Sequence, residues 1–181
     1  MLIIFQIFSV LLILIIAVSL IYFSLKNGIG PTPTSSRVKN SIIKNIPPIE
    51  NGRITVLGSG FGFLLFPIAK KFPHLKVVGI ENSFFVFFIS KTISWMYPNV
   101  EIKKNDFFKD NLGGNKLLVC YLYPGALEKL QSKFFLELDD KTWVVTHTFA
   151  FRGLKETNLY YANDLYKTPI YFYLFKRIDV L

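Results

Sequence analysis

The stretch Arg53-Ile54-Thr55-Val56-Leu57-Gly58-Ser59-Gly60-Phe61-Gly62 decides how this chain is read. It opens as a short apolar run, which suits a buried strand, and then breaks into glycines at alternate positions. Glycine there lets the backbone turn sharply and come close to a ligand with no Cβ in the way. Phe63-Leu64-Leu65 resumes the apolar pattern as the start of a helix. About twenty residues further on, a second run, Val77-Val78-Gly79-Ile80, is closed by Glu81, the place where a doubly wound α/β domain sets a carboxylate for a pair of ribose hydroxyls.

The glycine spacing separates two classes of ligand. A dinucleotide fingerprint requires G-x-G-x-x-G, whereas position 63 is Phe and Gly58-x-Gly60-x-Gly62 is the spacing of S-adenosylmethionine (AdoMet) binders. A nicotinamide-dependent oxidoreductase would also need a substrate domain, for which the chain has no room. A third run, Val100 to Lys104, leads into Asn105-Asp106-Phe107-Phe108, at the strand end where ligands of open α/β sheets collect. The candidate cofactor contacts are thus Gly58, Ser59, Gly60 and Gly62 in the turn, Glu81 and Asn82 after the second strand, and Asp106 and Phe107 after the third. Asp106 can accept from an adenine amino group while its aromatic neighbours flank the ring; the same residue type also caps helices and turns. Three glycines in a purely structural turn are the plain alternative.

Working outward, residues 1–25 contain no charged side chain and are mostly Ile, Leu, Val and Phe. As a helix they would rise about 37 Å, more than a hydrocarbon core of about 30 Å. A basic leader region and a small-residue cleavage site are both missing, so an uncleaved transmembrane anchor is expected. Lys26, Arg37, Lys39 and Lys44 follow it with no acidic residue before Glu50, which places the globular part on the cytoplasmic side, or in an equivalent inner compartment. The chain of 181 residues carries a net charge of +9. Beside an apolar anchor, the partner implied by that charge is the bilayer surface before nucleic acid. The lone Cys120, inside the apolar run Leu117 to Leu122, excludes an intrachain disulfide and a cysteine zinc site and reads as a small buried hydrophobe.

The expected organisation is an anchor over 1–25, a Gly/Pro-punctuated linker over 26–35 and one domain over 36–181. Ser35 or Ser36 caps a short helix to about Asn45, which Pro47-Pro48 stops and which covers an edge or the mouth of the sheet. Phe63 to Phe72 has helical spacing, with Pro67 tolerable near its start. Ser83 to Met96 is too apolar for a solvated helix, so it is buried on two sides or meets lipid. Lys116 to Leu122 and Trp143 to Thr148 read as strands around a helix over Ala126 to Leu138. Asn158 to Tyr161 and Ile170 to Leu174 pair antiparallel at one edge. The fold class is α/β: a doubly wound, mostly parallel, Rossmann-like sheet with an antiparallel C-terminal edge, preceded by one transmembrane helix. His74 sits in a turn; His147, closing the fifth strand, could accept a proton or be structural.

This order of elements resembles the class I AdoMet-dependent methyltransferases. More narrowly, the anchor, Pro31-Thr32-Pro33-Thr34, Leu57-Gly58-Ser59-Gly60, Tyr123-Pro124-Gly125-Ala126 and Asp164-Leu165-Tyr166-Lys167-Thr168-Pro169-Ile170-Tyr171 resemble the small membrane-anchored protein-lysine methyltransferases. That group includes enzymes acting on ATP synthase subunit c and the adenine nucleotide translocase, together with bacterial relatives. The resemblance covers roughly Pro31 to Lys176. It implies S-adenosyl-L-methionine as cofactor, Tyr121, Tyr123 and Pro124 lining the reacting site with Tyr123 as the residue that holds the amine, and N-methylation of a lysine in a membrane-embedded or membrane-proximal protein, with no nucleic acid as partner. The family's first motif reads D-L-G-S-G, and Val56 stands where that acid helps to hold the methionine amino group. The resemblance therefore leaves a second reading, a non-catalytic membrane scaffold that has kept the fold.

Overall fold

The structure is a computed structural model that describes residues 1–27 and 33–176. Half of the expected linker, residues 28–32 with Pro31 and Thr32, lies outside the described residues. In chain order the elements are α1 (Leu2–Asn27), α2 (Ser36–Asn45), β1 (Arg53–Leu57), α3 (Leu65–Lys71), β2 (Lys76–Glu81), α4 (Phe84–Ser94), β3 (Val100–Lys104), β4 (Asn115–Cys120), α5 (Pro124–Glu137), β5 (Thr142–His147), β6 (Asn158–Tyr161) and β7 (Pro169–Phe175).

The apolar runs become one seven-stranded sheet in the order β3-β2-β1-β4-β5-β7-β6. Strands β1 to β5 are parallel, because each is reached by a crossover. β6 and β7 form a hairpin, so β7 enters beside β5 antiparallel. The doubly wound sheet with an antiparallel C-terminal edge is therefore present. Side-chain alternation splits the core in two: Ile54 and Val56 join α2, α3 and the inner side of α4 on one face, while Leu57, Val78, Leu118 and Cys120 meet α5 on the other.

Local signals set most boundaries. Ser35 caps α2 by accepting from Val38 N–H at 3.3 Å, and Val38 and Ile42 are its buried face. α3 starts at Leu65, two residues later than the spacing implied, and so keeps Pro67 within the first turn, where its missing N–H costs little. α5 begins at Pro124, earlier than the expected Ala126, since proline fits the first helical position. Burial pushes the Cys120 thiol up to about 12, which fits a packing residue. His74 lies in the turn after α3 with Nε2 3.3 Å from the Ile49 carbonyl oxygen.

Residues 1–25 do form one helix, the 26-residue α1. Its side chains at 2, 12, 16, 20 and 23–27 are outside the described set, and over the described residues no helix is long and apolar enough to cross a membrane. The expected first helix is thus present, and a membrane span is not shown by the described residues.

Candidate active site

The carboxyl ends of β1, β2, β4 and β5 converge, and the site is built there from the turn outward. Gly58, Gly60 and Gly62 all have positive φ, 62°, 55° and 87°, which explains the alternate glycines: each would strain an L residue. Their surroundings differ, however. A Cβ on Gly60 would meet nothing nearer than the Gly58 carbonyl oxygen at 4.0 Å, so this position opens to a ligand. A Cβ on Gly62 would sit 2.1 Å from the Phe66 ring. Gly62, expected among the cofactor contacts, thus makes room for the core. Gly58 is intermediate, 3.3 Å from Leu122.

Glu81 binds this turn to the rest of the site. One carboxylate oxygen accepts from Gly60 N–H at 2.9 Å and the other from Ser83 N–H at 2.8 Å. The side chain is only 7% exposed. Burial raises its pKa, while the backbone N–H groups of Ser83, Gly60 and Asn82 pull it back. A carboxylate has about four acceptor sites, so with these backbone donors in place the clamp keeps capacity to accept from a ligand hydroxyl. Half-buried Asn82 stands next to it. The hydroxyls of Ser59 and Ser83 are buried beside the clamp without a hydrogen-bond partner. Buried orphan hydroxyls are uncommon; that of Ser59 lies against Gly79 of β2, whose Cβ would be 2.8 Å away, while the open Gly60 and the Glu81 carboxylate fit a small polar ligand such as AdoMet.

The third-strand residues divide. Asp106 accepts from Phe108 N–H at 3.0 Å and shapes the turn. Phe107, expected to flank the adenine, is instead 9% exposed and packs with Leu57 and Leu118 in the core on the α5 side. Its half-buried neighbour Phe108, ring to ring at 4.6 Å, lies nearer the surface.

At the other end, Tyr123 precedes α5 and its ring lies over Gly125, whose Cβ would be 2.8 Å away. Tyr123 also packs on the core around Leu122 and Ala126, and Pro124 is exposed. Tyr121, by contrast, stacks on His147 with centroids 4.1 Å apart. Thr34 Oγ1 reaches to 3.4 Å from His147 Nε2, and Thr148 Oγ1 lies 3.1 Å from Nδ1. Thr148 itself sits at φ 70°, a strained choice for a β-branched residue. The cluster Thr34-Tyr121-His147-Thr148 was not read as a unit from sequence. The one signal was the Pro33-Thr34 motif, whose partner is more than a hundred residues away. A cleft of ≈ 530 Å³ lined by Arg37, Lys44, Tyr160 and Tyr161 adjoins this end.

Burial holds His147 down to about 4, from an ordinary 6.5. At neutral pH the imidazole is uncharged, so it does not repel an approaching amine, and it is a weak base. The unfolded chain takes up this proton near 6.5 and the folded chain only near 4, so the folded state is fully favoured above 6.5 and loses stability as the pH falls through that window. The loss is on the order of 3 kcal/mol. Glu81 works in the opposite sense, because a raised carboxyl favours the folded state as the pH falls, and it cancels between two proteins that both contain it. The stability gap between the parent chain and His147→Gln is therefore expected to shift by about 3 kcal/mol in the variant's favour from pH 7 to pH 4. Parallel melting curves across that range would refute the assignment.

The glycine turn clamped by a carboxylate at the switch of strand order is the ligand geometry of a doubly wound sheet, and comparison with known proteins agrees with it. Residues 57–158, more than half of the chain, match the ANTKMT methyltransferase domain. The chain belongs to that family. It is a class I AdoMet-dependent methyltransferase. A protein-lysine N-methyltransferase from Saccharolobus islandicus is 26% identical over 130 residues, 67% of this chain and 77% of the relative. Among solved structures, an RNA methyltransferase from Salinibacter ruber in complex with S-adenosyl-L-homocysteine superposes with TM-score 0.73 at 22% identity, covering 83% of this chain and 97% of that one. A precorrin-6y methyltransferase from Geobacter metallireducens gives TM-score 0.56 at 13% identity, over 65% and 64% of the two chains. At such identities these structures speak for the fold and leave the acceptor open.

Proposed function

We propose that this methyltransferase is a membrane-anchored protein-lysine N-methyltransferase, with its domain on the cytoplasmic or matrix-like side and its acceptor in or near the bilayer. The observation that carries the catalytic part is the Glu81 clamp on Gly60 and Ser83, in a family of methyltransferases. The Saccharolobus relative supports a protein lysine as acceptor. The anchor rests on the charge-free residues 1–25, on their forming one helix, and on the cations that follow.

In this reading Gly58, Ser59 and Gly60 admit the methionine part of AdoMet, Glu81 with Asn82 takes the ribose hydroxyls, and Asp106 with Phe108 faces the adenine. AdoMet supplies an electrophilic methyl group on a sulfonium. The chain's own work is alignment and desolvation of a neutral lysine amine. Tyr121 offers a ring face to the amine, neutral His147 adds no competing charge, and Tyr123 with Pro124 fixes the start of α5 beneath them. The scaffold reading is favoured by the apolar Val56 at the first-motif position and by the apolar helix over Ser83 to Met96.

Labelled AdoMet and the full chain, added to membranes from a strain lacking it, are expected to mark a membrane protein on lysine. Label confined to soluble proteins would remove the membrane part of the reading. Absence of both transfer and AdoMet binding would leave the scaffold.

A further inference from the structure

Helix α4 is amphipathic in the wrong sense for a solvated domain. Its buried stripe is Val86, Ser90 and Ser94. The two serines bond back to their own helix, Ser90 Oγ to the Phe87 carbonyl at 3.0 Å and Ser94 Oγ to the Lys91 carbonyl at 2.7 Å. Small side chains with satisfied hydroxyls let the helix lie close on β2 and β3. Phe87 and Ile93 pack against the core, but four large apolar residues point the other way: Phe84 is 54% exposed, Phe88 56%, and at the far end Trp95 79% and Met96 71%. Spaced four and then seven residues apart, Phe84, Phe88 and Trp95 fall on one helical face.

We propose that this outer face of α4 seats the domain on the bilayer, lying in the interface beside α1. The inference rests on the anchor reading of α1 and goes beyond it. Continuity argues for lipid as the occupant, since α1, apolar and charge-free over residues 1–25, packs directly against α4. Where α1 enters a membrane, α4 is carried to its surface. Composition argues the same way: aromatic rings are the side chains that settle at headgroup level, and lysines beside them reach the phosphates. Lys104 Nζ stands 4.3 Å above the Phe84 ring, Lys91 lies within the helix, and the chain as a whole carries +9. With 11 residues, about 16 Å, α4 is too short to span and must lie in the plane.

The seat also orients the site. A crossover helix runs antiparallel to its strands, so an α4 in the membrane plane lays the parallel strands there too. Lys104 pairs in register with Glu81, and Phe84 begins the helix just after it, so the clamp end of the site lies at the lipid surface. The mouth then opens sideways along the bilayer. An acceptor lysine is met at headgroup level, not deep in the aqueous phase.

The chain has 2 Trp, Trp95 on this face and Trp143 in β5, so intrinsic fluorescence separates them. The full chain carrying Trp143→Phe, inserted into vesicles of neutral and anionic phospholipid, is expected to lose on the order of half its emission to lipids brominated near the headgroup end of the acyl chain. Lipids brominated at the bilayer centre should quench it less, and the Trp95→Phe counterpart should be quenched little by either. The unaltered chain, showing a partial quench of the same depth preference, serves if a substitution unfolds the protein. A chain that floats with vesicles and resists alkaline extraction, yet whose Trp95 is quenched no more than Trp143, overturns the α4 seat and leaves the anchor standing. A chain that does not float removes the anchor and the seat with it. Unquenched Trp95 in a vesicle-bound dimer would assign the face to a second copy instead.

Discussion

Replacing Glu81 with alanine is expected to weaken AdoMet binding about 10- to 100-fold, the equivalent of about 1.5–3 kcal/mol for hydroxyls bonded to a carboxylate. The geometry makes the loss larger than a ligand contact alone would. Glu81 also accepts from Gly60 N–H and Ser83 N–H, so its removal frees the ligand-facing turn and the start of α4 together. Glutamine is expected to be nearly as damaging as alanine, because its amide can accept on one side but presents a donor to a backbone donor on the other. Isothermal titration on the detergent-solubilised full chain, with melting temperature as the control for folding, measures both. Unaltered affinity in well-folded Glu81→Ala and Glu81→Gln would put the cofactor somewhere else on the molecule.

Introducing the family's acid by Val56→Asp is expected to lower the melting temperature of the ligand-free protein by about 10 °C, since burying an unpaired carboxylate costs several kcal/mol in a chain of this size. Val56 is 3% exposed and shares its cluster with Ile54, Leu64 and Leu65. It is flanked in register by Gly79 and Val119. The same carboxylate would lie beneath the glycine turn, where the ammonium of the methionine part could pair with it for up to about 3 kcal/mol. Saturating AdoMet should therefore raise the melting temperature of Val56→Asp by more than it raises that of the parent. A variant that AdoMet does not rescue would favour the scaffold over the enzyme.

Much of this architecture is local information. Apolar runs of five or six residues fixed the strands, because burial on both faces of a parallel sheet demands them. The glycine turn, the acid closing β2 and the residues before each proline were equally legible, since each is a constraint on a few neighbouring backbone angles. What individual side chains do within the site was less legible, because packing decides it even between near neighbours: Gly62 makes room for Phe66, Phe107 faces the core and leaves the surface to Phe108, Tyr123 lies over Gly125, and Tyr121 stacks on His147 of the next strand.

Residue types alone thus determined an AdoMet-type turn in a doubly wound sheet and an apolar first helix. Only the tertiary structure decided that Glu81 clamps the turn, that Thr34 closes on His147 at the end of β5, and that α4 turns its serines inward and Phe84, Phe88 and Trp95 outward. The physical reason is that hydrophobic pattern reports how much of a side chain must leave water, whereas which surface it leaves water against is set by packing between elements. For α4 the pattern showed an apolar helix; which side of it stays uncovered became visible only once β2 and β3 had taken the side lined by small residues.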